Sequence, residues 1–392
     1  MIAGIVSLCL AYVLSQFFRS FLAVLTGILS QDIGATPDDL STASGLWFLS
    51  FAIMQIPVGG ALDRIGPRQT SAVLFLIGGA GGAALFALAQ TALHVKLAML
   101  LIGIGCSPVL MASYYIFART YSPKIFATLA ATIIGIGSIG NLAGSVPLVW
   151  VVQSYGWRET LWGLSVFSAL IAITALVFVR NPPPAPTTQS GRFSDLLKMP
   201  VLWWIIPLVF VNYMPVAALR GLWIGPYLVD TFAASAAQVG NASMMMSLAI
   251  IAGTFAYGPL DRVFGTRKWV IFTGNVAVLV ALVALLAFGN VSYSIAVILF
   301  TMIGFFGMSF PMIVAHGRAF APPHIAGRGV TLMNLFSISG VGFFQVISGK
   351  IQAAEVSIGI TGAARYHDIL LTMIVLLGVS LLIYAFSQDN LD

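Results

Sequence analysis

Long apolar runs without a charge, cut by short breaks rich in glycine, proline and charge, set the pattern of this chain. Residues 40–62, 97–118, 160–179, 231–260, 329–349 and 369–388 are such runs. Each is long enough to cross a hydrocarbon layer of about 30 Å as a helix. None alternates in the way a membrane β-strand does. Dividing the chain at charges, prolines and Gly/Asn turns predicts twelve spans. They lie at roughly residues 5–29, 41–62, 70–91, 96–119, 125–151, 159–179, 201–228, 236–259, 268–288, 292–317, 328–352 and 365–386. The ninth and tenth share one uncharged stretch, 269–317, divided at Gly289 and Asn290 because a single helix that long does not fit a bilayer.

Composition agrees. Of 392 residues, 59% are hydrophobic and 8% charged, and the mean hydropathy is +1.00. A soluble domain cannot hide that much apolar surface. Cys9 and Cys106 fall inside apolar runs and read as small core residues, with no disulfide framework. The first run has no basic lead-in and no small-residue cleavage site, so it is expected to be a retained helix. Between the sixth and seventh spans, RNPPPAPTTQSGRFSDLLK breaks any helix and reads as a linker. The predicted division is a six-helix bundle at 1–180, a cytoplasmic linker at 181–199 and a second six-helix bundle at 200–392.

Basic loops orient the spans. With both termini inside, the inner loops collect twelve basic residues, among them Arg64, Arg68, Arg119, Arg192, Arg262 and Arg328, while the outer loops keep Lys96, Arg158, Lys350 and Arg365. The net charge of +6 is therefore topological and calls for no nucleic-acid partner. Two of these inner loops repeat a phrase. GGALDRIGPR (59–68) returns as GPLDRVFGTRK (258–268), each between the second and third helix of its half. Repeats of this kind build many secondary transporters.

These loops resemble the signature of the major facilitator superfamily, in Gly59, Asp63, Arg64, Gly66 and Arg68, and again in Asp261, Arg262, Gly265, Arg267 and Lys268. YGWRE (155–159) is similar to that family's turn after the fifth helix. The resemblance implies an all-α membrane protein, with twelve helices in two pseudo-symmetric six-helix halves and a central cavity, working by alternating access. It implies a gate in which Asp63 latches the inner side with Arg64 and Arg68 as partners, and Asp261 with Arg262 in the second copy. It also implies no cofactor, no catalytic group, a monomer in the lipid bilayer, and a place in a bacterial inner membrane. Met99 stands where drug–proton antiporters of the family carry an arginine, and Gly140-Asn141 where they carry Gly-Pro. Both departures argue against drug efflux.

Two arginines lie within apolar spans, Arg19 in the first helix and Arg220 in the seventh, the equivalent helix of the other half. A charge there costs at least about 2.5 kcal/mol and marks a functional candidate. A guanidinium without an acid nearby matches a carboxylate or phosphate in two-point fashion and does not deprotonate. The pair, and Trp223 after Arg220, resemble the organophosphate:phosphate antiporter branch, which implies an organic anion as substrate, a carboxylate or a phosphate ester. Gln16 stands one turn before Arg19 and assists it. Tyr12, Asn141, Trp223 and Gln345 are further candidate lining residues. No carboxylate is expected in mid-membrane, which favours exchange or facilitated diffusion over proton symport. Two alternatives remain at this point: a multidrug exporter, and a copper transporter using Met308, Met312 and His316, spaced i, i+4, i+8. Gly140 and Gly144 form a small-residue face for close helix packing.

Overall fold

A computed structural model describes residues 2–121, 123–183, 193–322 and 326–391. These residues contain helices and connections and no strand. Ten helices are long and apolar enough to cross a bilayer, and two further spans are helix pairs bent at a short break. Counting each pair once gives twelve. They are α1 (Ile2–Phe17 with Leu22–Ile33), α2 (Pro37–Arg64), α3 (Pro67–Ala87), α4 (Ala92–Thr120), α5 (Pro123–Ala143 with Val146–Tyr155) and α6 (Trp157–Phe178). The second set is α7 (Pro200–Phe232), α8 (Ala236–Tyr257), α9 (Lys268–Phe288), α10 (Tyr293–Ala319), α11 (Ala326–Ser357) and α12 (Gly362–Tyr384). The chain divides into two compact units, Met1–Pro186 and Thr187–Asp392. Residues 184–192, half of the predicted linker and with them Arg192, lie outside the described residues.

Start and stop signals recur at equivalent places in the two units. Thr36 accepts from the Asp39 N–H in a capping box that opens α2, with Pro37 in the first turn. Ser235 and Gln238 form the same box at the start of α8. Just before each box the preceding helix ends in a left-handed residue: Gly34 at φ 65° and Ala233 at φ 51°. Ala233 therefore holds with a Cβ, at a steric penalty of about 1–2 kcal/mol, the conformation Gly34 holds without one. The small face of α5 receives α1, since a Cβ at Gly140 would overlap the Val13 carbonyl. At Gly340 of α11 a Cβ would overlap the Phe210 carbonyl of α7 in the same way.

The predicted spans were continuous, but several helices are not. The halves of α1 meet at 56° and those of α5 at 46°. In α1 the Ser20 hydroxyl donates to the Phe17 carbonyl at 3.2 Å, competing with the helical ladder at the bend. In α5 the break is Gly144-Ser145 followed by Pro147. α7 contains a π-helical segment at Leu219–Trp223, and α10 tightens to a 3-10 turn at Gly307–Ser309 just before Pro311. Residue counts along a chain locate apolar runs well, yet a half-turn inserted or removed leaves hydropathy unchanged.

In each unit the sixth helix is tied at both ends. At the end bearing the Leu-Asp-Arg loop, the Arg68 backbone N–H donates to Asn181 Oδ1 at 3.0 Å, and its Nε returns a bond to the Leu176 carbonyl of α6. In the second unit Lys268 does both tasks: its N–H donates to Asp389 Oδ1 at 2.9 Å and its Nζ to the Ala385 carbonyl at 2.7 Å. Thr266 Oγ1 and the Arg267 N–H complete the cradle of Asp389. At the opposite end Asp32 accepts from Trp157 Nε1 and Arg158, while Arg158 also donates to the Ala87 and Ala89 carbonyls. Asp230 accepts from Tyr366 and Arg365 in the corresponding position. Helix ends carry orphan N–H and C=O groups, and these exchanged caps satisfy them.

Partial burial of Asp389 opposes its charge, but bonds from Thr266 and the Lys268 and Arg267 N–H groups outweigh this and hold its carboxyl below the usual range. Its contribution is thus complete above the ordinary aspartate pKa of about 4 and is lost as pH falls through the lowered value. Asp389→Ala should lower stability by about 1–2 kcal/mol at neutral pH. Asp389→Asn, which copies the Asn181 clasp, should cost much less. Melting curves between pH 7 and pH 3 should show the Asp389→Ala deficit closing only below about pH 4.

Candidate functional site

Arg19 lies at the bend of α1, in the turn between Phe17 and Leu22. Its guanidinium carbon stands 5.1 Å from the Trp47 ring centroid and 4.9 Å from that of Phe51. These two α2 rings are one helical turn apart and stack at 5.1 Å with 17° between their planes. Trp47 is wholly buried and Phe51 nearly so. The aromatic bed offsets part of the desolvation of the cation, by up to about 2 kcal/mol. Arg19 Nε is buried with no hydrogen-bond partner. Among the described residues the guanidinium makes no ion pair with a carboxylate. Gln16 lies on the same stretch of α1; its Nε2 donates to Tyr12 Oη at 3.1 Å, and its buried Oε1 has no partner. The Tyr12 ring lies against Gly137 of α5, and Asn141, one turn on in α5, is 5% exposed.

Arg220 occupies a different setting. It sits in the π-helical segment of α7 and is 2% exposed. It has an interaction of its own. Trp223, in the same segment, donates through Nε1 to Ser348 Oγ at 2.9 Å, and Ser348 donates to the Gln345 carbonyl at 2.9 Å. Fully buried Gln345 is likewise engaged. Trp223 is therefore bonded to α11 through Ser348, which reaches Gln345 only at its backbone carbonyl.

The loop residues expected to gate do pair, with other partners. Asp63 meets Arg119, at the end of α4, at 3.5 Å. Neither Arg64 nor Arg68 reaches it. Arg64 is adjacent in a helix, where neighbours point about 100° apart, and Arg68 is occupied by Leu176. Arg119 also stacks on Tyr115 at 4.0 Å and donates to the Pro183 carbonyl. In the second copy Asp261 Oδ2 takes two bonds from Arg267, at 3.1 and 3.2 Å, instead of pairing with exposed Arg262. Asp63 is 65% exposed and Asp261 only 14%, so the second pair is the less screened.

The copper alternative does not fit. Both His316 nitrogens are engaged, Nε2 with the Gln388 carbonyl at 2.9 Å and Nδ1 with Tyr384 Oη at 2.8 Å. Met308 lies in the 3-10 turn, out of the helical register that would align it with Met312 and His316. Among the described residues no group of three His, Cys, Asp or Glu could hold a metal.

Sequence reasoning missed Trp47 and Phe51. Their W-x-x-x-F spacing was visible, but nothing along the chain linked them to an arginine on another helix. It also missed a buried amide cluster. Asn212 of α7 donates to Asn275 Oδ1 of α9 at 2.7 Å and to Ser309 Oγ of α10 at 2.9 Å, and Asn275 donates to Ser309 at 3.1 Å. All three are fully buried.

A family model for the Major Facilitator Superfamily matches residues 8–222. The chain belongs to that superfamily. It is 24% identical over 231 residues to a probable nitrate transporter, NarT, of Staphylococcus haemolyticus, covering 56% of this chain and 57% of that one. It is 30% identical over 156 residues to a gallate transporter of Pseudomonas putida, covering 38% of this chain and 33% of the relative. The matched stretch thus spans little more than half of the first relative and a third of the second. In fold it is similar to a bacterial homologue of the human lysosomal transporter Spinster, with a TM-score of 0.80, 17% identity, and coverage of 98% and 96% of the two chains.

Removing Asn212 strands the groups it satisfies. Asn212→Leu should destabilise by about 1–3 kcal/mol. Asn212→Leu with Asn275→Leu should cost clearly less than the sum of the single changes, because the second removes a group the first leaves unsatisfied. Thermal melting of the four proteins in one detergent measures this coupling.

Proposed function

We propose that this superfamily transporter moves a small organic anion, a carboxylate or a phosphate ester, with Arg19 as the cation that holds it. The observation that carries the reading is a guanidinium at the bend of a membrane-spanning helix, bedded on two aromatic rings and paired with no carboxylate among the described residues. A charge in that setting is costly unless something answers it. An anion answers it with two parallel charge-assisted bonds. The relatives' names, a nitrate and a gallate transporter, belong to carriers of small oxyanions and support the same class.

Under this reading Arg220 is the corresponding cation of the second unit, with Trp223 and Gln345 beside it, and Gln16, Tyr12 and Asn141 complete the surroundings of Arg19. The Asp63–Arg119 and Asp261–Arg267 pairs act as gates, breaking and reforming as the carrier alternates. The bias of basic residues toward one set of loops supports cytoplasmic termini and a bacterial inner membrane. Anion exchange or facilitated diffusion is the mode proposed, supported by an arginine pattern that resembles that of the organophosphate antiporters. A lipophilic-cation exporter suits this site poorly, because the field of Arg19 opposes its cargo.

Proteoliposome uptake of nitrate, gallate and glycerol 3-phosphate tests the reading. Arg19→Gln should weaken binding of the transported anion on the order of 100-fold or more, with an unchanged melting temperature. Arg19→Lys should retain part of the activity, since it keeps the charge and loses the fork. Uptake should proceed without an imposed pH gradient. Equal uptake by wild type and Arg19→Gln would sink the proposal.

A further inference from the structure

Arg19 is answered by an anion, but the residue beside it asks for something else. Gln16 lies three positions earlier, in the last turn of the helical half of α1 that ends at Phe17, just before the bend that carries Arg19. Its amide nitrogen is taken by Tyr12, while Oε1 is buried with no partner. A carbonyl oxygen left so costs roughly 1–3 kcal/mol, and no described side chain relieves it. An anion alone cannot, because a carboxylate or nitrate oxygen only accepts. The adjoining groups therefore form a mixed site: a cation whose donors need acceptors, and an acceptor that needs a donor.

Resting on the Arg19 reading above, we infer that the substrate is a hydroxylated organic acid: its anionic group meets Arg19 and a hydroxyl donates to Gln16 Oε1. Gln16 is thereby a specificity residue. A site built to pair a substrate hydroxyl rejects the analogue lacking it, because the protein's own buried group is left unpaired. Plain carboxylates, and nitrate above all, lack the donor and bind less well.

The test uses the full-length purified protein and two pairs of acids that differ only in hydroxyls, lactate against propionate and gallate against benzoate. Affinities come from thermal-shift titration and from competition in proteoliposomes. Wild type should favour each hydroxylated partner by roughly tenfold. Gln16→Leu should reduce that preference to within about twofold while binding stays dependent on Arg19. Gln16→Met, which keeps the length of the side chain, serves where the leucine variant does not fold. Equal affinity within each pair, with binding still lost in Arg19→Gln, overturns the hydroxyl assignment and leaves the anion reading standing. A preference for the plain acids overturns it too, since it would mean that the amide presents its nitrogen. Preference that survives both Gln16 variants overturns the role of Gln16. Binding indifferent to Arg19→Gln removes the anion reading itself.

Discussion

A bilayer offers no hydrogen bonds, so each polar group in these helices must be answered by another part of the chain. Much of the architecture follows from that demand. The sixth helix of each unit is fastened at one end through Asp32 or Asp230, and at the other through a basic residue that opens the third helix. The clasp at the basic residue is reciprocal: the sixth helix supplies a carbonyl to that residue's side chain, and a residue just beyond the helix caps its N–H. The bends of α1 and α5 and the π-helical segment of α7 are tolerated for the same reason, because the freed groups find partners nearby.

The two units meet this demand with different chemistry. Where the first uses the neutral amide of Asn181, the second uses the carboxylate of Asp389. The exposed Asp63 pair joins the end of α2 to the end of α4, whereas the enclosed Asp261 pair stays within the segment between α8 and α9. The second unit is thus more strongly bound by charge at this end. Arg19 and Arg220 differ likewise: one rests on aromatic rings beside an unanswered amide oxygen, the other is sealed within its π-helical segment. Pseudo-symmetry sets where the polar groups stand, and divergence has changed what they do.

That demand is not met everywhere, and Arg19 and Gln16 are among the exceptions, with Trp47 Nε1 beside them. On α1, Ser7, Ser20 and Thr26 donate to carbonyls one turn earlier, whereas Ser15 Oγ, Gln16 Oε1 and Arg19 Nε are buried without a hydrogen-bond partner. At the bend a donor and an acceptor remain that neighbouring helices do not satisfy. Under the anion reading, such incompleteness beside a rigid aromatic bed suits a site that must release its cargo.

The number of spans, their approximate limits and the two-unit plan were legible along the chain, because a helix crossing lipid needs a fixed length of apolar residues. The division at Gly289, the repeated loops and the isolation of Arg19 are examples. Hydropathy is a local sum, blind to whether a ladder continues, so the bend at Phe17–Leu22 and the π-helical turn at Arg220 were not legible. Nor were the partners. Asp63 chose Arg119 over two arginines closer in sequence, and Arg19 chose Trp47 and Phe51, because proximity across helices depends on rotation and packing that side-chain order does not encode. Sequence alone thus determined that charges stand within lipid and on which helices. Only the packing of those helices decided which charges the protein answers with its own groups, because partners across helices depend on rotation and register.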